Sequence, residues 1–298
     1  APTVGILPAS PCYDSSPAFK ELAKTIIFTG YPFAYSHNAS DDELDYITYS
    51  WAEPLGDAFT YDPNNPNGTA LAFDPPYSVT SPIPGNPSLD SITGEIAYNS
   101  PTAGVFVTCV KVEARKCGQL VAEIYREVQV VLLDPISWIP PTDGFNDPPV
   151  ITAPLGPQTW ITTINSAGLP SHSTTIYAGD LVTFDIQAED LDTYAGGVNQ
   201  NVTLDVSGGQ VSKDYINPVL CPNPPCATFN NGAIPPIVPG NGIDPPVDLF
   251  APAIVSGVFE WQTTCNHIYA DVGCDNASNI FTFSIKAYDD FCPANGIS

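Results

Sequence analysis

The chain is predicted to be all-β, two tandem immunoglobulin- or cadherin-like β-sandwich modules with long proline-rich loops, and three observations carry the prediction. Strand-like alternation recurs along the chain, one alternating run appears twice, and proline is too frequent for helices. The clearest run, Tyr177 to Asp192 (YAGDLVTFDIQAEDLD), opens on the turn Ala178-Gly179-Asp180. Leu181, Thr183, Asp185 and Gln187 then share one face, and Val182, Phe184, Ile186 and Ala188 the other. A fainter copy, Tyr31 to Asp45 (YPFAYSHNASDDELD), alternates through Phe33, Tyr35, His37 and Ala39 before an acidic ending of the same kind. The copies lie 149 residues apart, from Ala39 to Ala188, which predicts two homologous modules. The chain has 33 prolines and 22 glycines, and only Ser16 to Lys24 has a helix-like composition. Proline breaks helices and interrupts central ladders, so it belongs in edges, turns and linkers.

The elements follow in order. Residues 1–11 read as an upstream linker, and with no Met and no leader pattern the chain reads as a segment of a longer protein. The first module spans 12–134. It contains strands at Tyr31 to Ala39 and Tyr46 to Trp51, a long insertion at Ala52 to Pro87, and a short strand with a Thr93-Gly94 turn in Leu89 to Tyr98. Gly104 to Ala114 and Leu120 to Leu133 are strongly β-prone, and Arg115-Lys116-Cys117-Gly118 joins them. This predicts a hairpin with Gly118 as its left-handed turn residue. Residues 135–149 hold five prolines and form a stiff linker suited to an elongated rod. The second module spans 150–298, with Asn201 to Val206, Gly257 to Thr263 and Ile280 to Ala287 as further strands; each half fits a seven-stranded sandwich.

Charge limits the function. Eight Lys and Arg against 32 Asp and Glu give a net charge of −24, which repels phosphate backbones and anionic membranes and attracts cations. Nucleic-acid binding is excluded on that ground, and a membrane span by the absence of a long apolar run. Eight cysteines at short local spacings suggest disulfides and an oxidising compartment. The local pairs are Cys221 with Cys226, Cys265 with Cys274 and Cys109 with Cys117; the partners of Cys12 and Cys292 stay open. None is a C-x₂-C pair, and the three histidines are scattered, which argues against zinc.

Calcium takes six to eight oxygens from carboxylates, amides and carbonyls. The candidate ligands are Asp41, Asp42 and Asp45 in the first module, Asn146 and Asp147 in the linker, and Glu189, Asp190, Asp192, Asp289 and Asp290 in the second module. Apart from that structural calcium, no cofactor is expected. No nucleophile or metalloprotease motif is present, and carboxylates repeated between modules favour structure over one active site, so the chain is not expected to be an enzyme. Tyr61, Phe73 and Tyr77 in the first insertion are the aromatic side chains set aside as candidate ligand contacts. Asn38, Asn67, Asn201 and Asn276 begin N-glycosylation sequons.

Several strings carry a family resemblance: SSPAF, FTGYPFAYSHNASDDELDYITYSW and GVFVTCVKVEARKCGQLVAEIYREVQVVLL in the first half, NDPPVI, YAGDLVTFDIQAEDLD, WQTTC and FSIKAYDDFCP in the second. They resemble the tandem modules of very large Bacteroidota surface proteins, the SprB-like gliding-motility adhesins exported through the type 9 secretion system. The resemblance implies an extracellular, cell-surface repeat segment, a stalk that projects an adhesive region. Its partners would be neighbouring modules, a surface polysaccharide or other adhesin-associated proteins. Where the related modules carry a fuller D-x-D-G-D string, Asp41 to Asp45 reads DDELD, which weakens calcium there. The resemblance also implies O-glycosylation of Ser91 in Asp90-Ser91-Ile92. The alternatives are a carbohydrate-binding accessory segment of a secreted enzyme and a purely structural stalk.

Overall fold

The computed structural model describes residues 15–23, 26–56, 69–134, 146–194, 196–211, 213–214, 217–218, 220–231, 249–268 and 279–291. Residues 1–11, most of the linker, Tyr61, Cys12, Cys274, Cys292 and the sequons at Asn67 and Asn276 lie outside these. Among the described residues there is no α-helix; a 3₁₀ turn spans Cys265–His267, and the rest is strand and loop. The helix-like stretch at Ser16 to Lys24 begins instead with a strand.

The first half contains β1 (Ala18–Phe19), β2 (Ile26–Phe28), β3 (Phe33–Ser36), β4 (Ala39–Ser40), β5 (Tyr46–Trp51), β6 (Leu55–Gly56), β7 (Thr69–Ala70), β8 (Ser88–Leu89), β9 (Glu95–Tyr98), β10 (Gly104–Lys116) and β11 (Gln119–Leu133). The second half contains β12 (Val150–Ile151), β13 (Ile161–Ile164), β14 (Pro170–Ser173), β15 (Leu181–Glu189), β16 (Thr193–Tyr194), β17 (Val198–Asn199), β18 (Asn201–Gly208), β19 (Lys213–Asp214), β20 (Asn217–Pro218), β21 (Thr228–Asn230), β22 (Leu249–Pro252), β23 (Ile254–Gln262) and β24 (Phe283–Asp289).

Each half is a two-layer sandwich. In the first, the sheet β2-β11-β10-β5 faces β3-β9-β8, and β1 pairs with β4, the continuation of β3 beyond Asn38. In immunoglobulin lettering these are strands A, B, E and D against C, F and G, with β11 as G. Alternation sends Phe33, Tyr35, Ile96 and Tyr98 inward from one sheet, and Val110, Val112, Val128, Val130 and Leu132 from the other. The hairpin β10–β11 turns at Cys117 and Gly118, both with positive φ (47° and 78°), as a two-residue turn requires. In the second half β12-β15-β23-β21 packs against β22-β18-β24 over Val182, Phe184, Leu204, Phe259 and Trp261.

Register shows that the halves are copies. Tyr35 lies opposite Ile96, and Phe184 opposite Phe259. Phe19 lies opposite Ala39, and Ile151 opposite Ala188. Lys111 lies opposite Ser50, and Lys286 opposite Asp205. Gly94 and Gly257 hold equivalent places, each with an aromatic ring where a Cβ would sit (Tyr49 Cε1 at 2.5 Å, Phe229 Cζ at 2.3 Å). His37 stands where the second copy has Ile186. Buried against Phe19 and Tyr35, its imidazole is pushed down to about 3 by burial first and then by the charge of Arg126, so it serves as a neutral aromatic.

The proline-rich linker suggests modules set end to end as a rod, but the structure packs them flank to flank. Tyr31, two residues before β3, donates to Asp147 Oδ1 (2.8 Å), and the Asp147 N–H donates to Asp192 just beyond β15. Asn38 Nδ2 donates to Ser207 Oγ (2.9 Å), Asn165 Nδ2 to Glu95 Oε1 (2.9 Å), and Ser166 Oγ to the Ala97 carbonyl (3.2 Å). The physical reason is a buried ion triad: Lys286 Nζ lies 2.7 Å from Glu21 Oε1 of the first half and 2.9 Å from Asp205 Oδ2 of its own sheet, all three buried. Lys286→Ala leaves two carboxylates buried without their cation. It is expected to destabilise the protein by about 3–5 kcal/mol in urea unfolding; a loss below about 1 kcal/mol contradicts the triad's role.

Candidate cation centre at the end of the second module

Four chain segments meet where β15 ends. Asn146 and Asp147 arrive from the linker, Asp190 and Asp192 follow β15, Gln200 and Asn201 open β18, and Asp289 and Asp290 close β24. Backbone turns aim the carboxylates. Asp190 Oδ1 accepts the N–H of Asp192 (2.8 Å), and Asp289 Oδ1 that of Phe291 (2.9 Å), so in each the oxygen Oδ2 is directed away from its own turn. Asp289 Oδ2 accepts from Asn146 Nδ2 (3.0 Å), and Asp192 Oδ2 from the Asp147 N–H (2.7 Å). The Gln200 N–H bonds the Asp192 carbonyl (3.1 Å), and the Asp190 N–H bonds Ala253 (2.7 Å).

Asn146, Asp190, Gln200 and Asp289 are buried. Asn146 Oδ1, Asp190 Oδ2 and both polar atoms of the Gln200 side chain have no hydrogen-bond partner. A buried polar group without a partner costs about 1–3 kcal/mol, so several at one end are conspicuous. Burial first, then the charges of Asp192, Asp147 and Asp290, raise the Asp190 carboxyl above the usual range. Asp290 moves the other way: burial opposes it, but hydrogen bonds from Tyr194 Oη (2.6 Å) and from the N–H and Nδ2 of Asn201 hold it low. Tyr31 and Tyr194 are each raised to about 12, by burial first and then by Asp147 and Asp290 respectively, so both phenols stay neutral donors.

Among the described residues no three His, Cys, Asp or Glu side chains converge as a preformed metal site. The open oxygens here include two amides, and amide oxygens serve calcium as well as carboxylates do. The donor set is thus all oxygen, acidic and partly desolvated, which suits a hard divalent cation and not zinc.

The other expected residues fall elsewhere. Glu189 is exposed at the strand end. Asp41, Asp42 and Asp45 belong to a separate loop on the first module, where Asp41 Oδ1 accepts the N–H groups of Glu43 (3.0 Å) and Asp45 (3.1 Å) and Lys116 Nζ lies 3.7 Å from Asp45 Oδ1. Asp42 is exposed, and its carbonyl accepts from Asn223. Tyr77 stacks edge-on against Phe106 of β10 (5.4 Å), and Phe73 is half-buried. Ser91 is exposed in the turn that Asp90 caps through the N–H groups of Ile92 and Thr93. Asn38 is buried at the module seam, a poor sequon in the folded protein. Gln200, Tyr31 and Tyr194 were not flagged by the sequence; the amide-rich string Asn199-Gln200-Asn201 after a double-glycine turn is the trace they leave.

Two cysteine pairings are corrected. Cys221 and Cys226 form a disulfide (Cα–Cα 5.8 Å), but Cys109 is free and buried, so it is not the partner of the disulfide-bonded Cys117. Cys109 and Cys117 belong to one extended run, eight residues and roughly 26 Å apart at strand rise, far beyond disulfide reach. Burial first, and the Glu127 charge second, push the Cys109 thiol up to about 12. Cys265 opens the 3₁₀ turn, exposed and free, so the expected Cys265–Cys274 bridge is not formed.

No protein-family model and no curated protein matches the chain. Solved structures align along nearly its whole length at low identity. The titin domains Z1Z2 in complex with telethonin are 9% identical, covering 96% of this chain and 94% of that one, with TM-score 0.24. The protocadherin gammaB7 EC3-6 cis-dimer is 13% identical over 95% of this chain and 46% of that one, TM-score 0.22. The sialic acid-binding region of a Streptococcus sanguinis SK1 adhesin is 12% identical over 95% and 76%, TM-score 0.26. These likenesses are too distant to place the chain in a family.

Replacing Asp190 by Asn keeps the acceptor for Asp192 and removes the charge. Because the folded carboxyl is raised, the stability it contributes is present below the unfolded carboxylate range and is lost as pH climbs through the folded value. In chelator at neutral pH, Asp190→Asn is therefore expected to stabilise by about 1–3 kcal/mol. Wild type should recover the difference as pH falls toward about 4 in parallel thermal melts; a variant less stable than wild type in chelator contradicts this.

Proposed function

We propose that the chain is a two-module structural segment of an extracellular surface protein, in which a calcium ion braces the junction between the linker and the second module. The unpartnered buried oxygens of Asn146, Asp190 and Gln200, ringed by Asp147, Asp192, Asp289 and Asp290, are the observation that carries this reading. These residues would hold the ion, which neutralises the clustered carboxylates; Tyr31 links the same corner to the first module. Support for the exterior comes from the disulfide between Cys221 and Cys226 and from the strongly acidic composition. No helix among the described residues is long and apolar enough to cross a membrane.

The finer assignment rests on the sequence resemblance: a gliding-motility adhesin exported through the type 9 system, with neighbouring modules, surface polysaccharide or adhesin-associated proteins as partners. A platform for sugar on the first insertion is less favoured, since Tyr77 is engaged with Phe106.

Calcium at about a hundredfold excess over its Kd is expected to add about 2.7 kcal/mol, a rise in Tm of several degrees over the chelated protein. Magnesium should do less, because it demands a tighter octahedral shell. The double variant Asp190→Asn with Asp192→Asn should lose the rise. A wild type whose melting ignores millimolar calcium refutes the centre, and an unchanged rise in the double variant moves it elsewhere.

A further inference from the structure

The seam between the modules holds side chains whose chemistry goes beyond charge pairing. Lys286 Nζ lies 2.7 Å from Glu21 Oε1 and 2.9 Å from Asp205 Oδ2. A primary amine and a carboxyl group are the two halves of an amide, and Lys286 and Glu21 bring them from different modules. Each is held in place. The Glu21 N–H bonds the His37 carbonyl (3.3 Å), and the Glu21 carbonyl accepts from Arg126 Nη1, whose guanidinium lies 4.3 Å over the Phe19 ring. Lys286 and Asp205 face each other across the β18–β24 ladder.

Little solvent reaches them. Glu21, Asp205 and Lys286 are 6%, 9% and 8% exposed, and Ser207, next on the same face of β18, is covered by Asn38 of the first module. In open water an amine and a carboxylic acid stay apart as ions. Withdrawing both ions from water is costly, and joining them removes both charges and frees one water. Held within about 3 Å, the reacting groups meet the distance of a near-attack geometry. Asp205 supplies the remaining requirement, a base within hydrogen-bond reach of the nucleophilic nitrogen.

We propose that Lys286 and Glu21 condense into an amide bond that ties the two modules covalently, with Asp205 as the base for the step. The step balances within the triad. Lys286 passes one ammonium proton to Glu21 Oε1, and the freed lone pair on Nζ attacks Glu21 Cδ, moving the carbonyl π pair onto its oxygen. Asp205 Oδ2 then takes a proton from the nitrogen. The oxyanion re-forms the carbonyl as the C–O bond to the hydroxyl group breaks, and the departing hydroxide takes the proton that Asp205 held. One water leaves, Asp205 is a carboxylate again, and no oxidant, metal or co-reactant enters. A bond to Asp205 instead would fold the lysine stem back between strands about 5 Å apart, whereas Glu21 meets the amine from across the seam. The reaction occurs once per chain, a self-modification that stands apart from the cation centre.

Mass spectrometry of the intact chain, reduced and denatured after incubation at neutral pH, tests the bond. The wild type should weigh one water less than its sequence. Digestion should yield a branched peptide joining Glu21 to Lys286, with no tryptic cut after Lys286. Lys286→Arg keeps the positive charge without the nucleophilic amine, and should show the full mass. Asp205→Asn keeps the amine and the acid but removes the base, and should link about a hundredfold more slowly or less. A wild type of full sequence mass, a water loss mapped to any other site, or a branch at Asp205 overturns the proposal. An Asp205→Asn chain that links as fast as the wild type overturns the role given to Asp205. The wild-type measurements decide the bond by themselves, whatever the folding of the variants.

Discussion

One cross-strand contact, made twice, organises the molecule: an aromatic of strand B opposite a buried apolar residue of strand E, Tyr35 against Ile96 and Phe184 against Phe259. A sheet with one buried face tolerates no slip of a single residue, because the whole apolar set would turn to solvent. With this pair in place, Ala39 and Ala188 fall opposite the entry strands, and Asp41 and Asp190 fall just beyond the sheet. The acidic endings are therefore consequences of register, each set at the rim of its sandwich by the strand that precedes it.

The protein deals with its carboxylates in two ways. At the module seam it supplies a counter-charge, Lys286, and buries Glu21 and Asp205 around it. At the end of the second module it supplies dipoles: turn N–H groups, the Asn146 and Asn201 amides and the neutral phenols of Tyr31 and Tyr194. Dipoles satisfy some lone pairs and leave net charge unbalanced, so burial first, and the neighbouring carboxylates second, make Asp190 hold its proton more tightly than an ordinary aspartate. The two solutions sit on one sheet, β18 and β24, so the rim and the seam share their strands.

Much of this was legible from residue order. The period-two runs marked β3 and β15, because a half-buried strand imposes its alternation on the sequence directly, while β-prone composition marked β10 and β11 and Gly118 marked their hairpin. The acidic residues of the second module were visible as candidates, but their meeting was not: Asp190 and Asp289 lie at the ends of strands of opposite sheets and Asn146 arrives from the linker, so the packing of one sheet on the other brings them together, which no local pattern encodes. Gln200 escaped because an amide inside an Asn-rich turn looks like any loop residue. The Cys109–Cys117 pairing failed for the opposite reason, since short spacing suggested proximity where an extended strand enforces distance. The rod expected from the proline-rich linker failed because linker stiffness says nothing about the polar and ionic contacts available between flanks.

The Lys286 triad also bears on how such a chain can be rearranged. Tandem modules are usually regarded as exchangeable parts, each complete with its own core. Here the second module carries a buried ammonium group for which one of the two carboxylates, Glu21, resides in the first. A recombinant that joined this second half to a different first half would inherit a lysine with half its counter-charge and a polar face made for another surface. The heritable unit of this architecture is the pair.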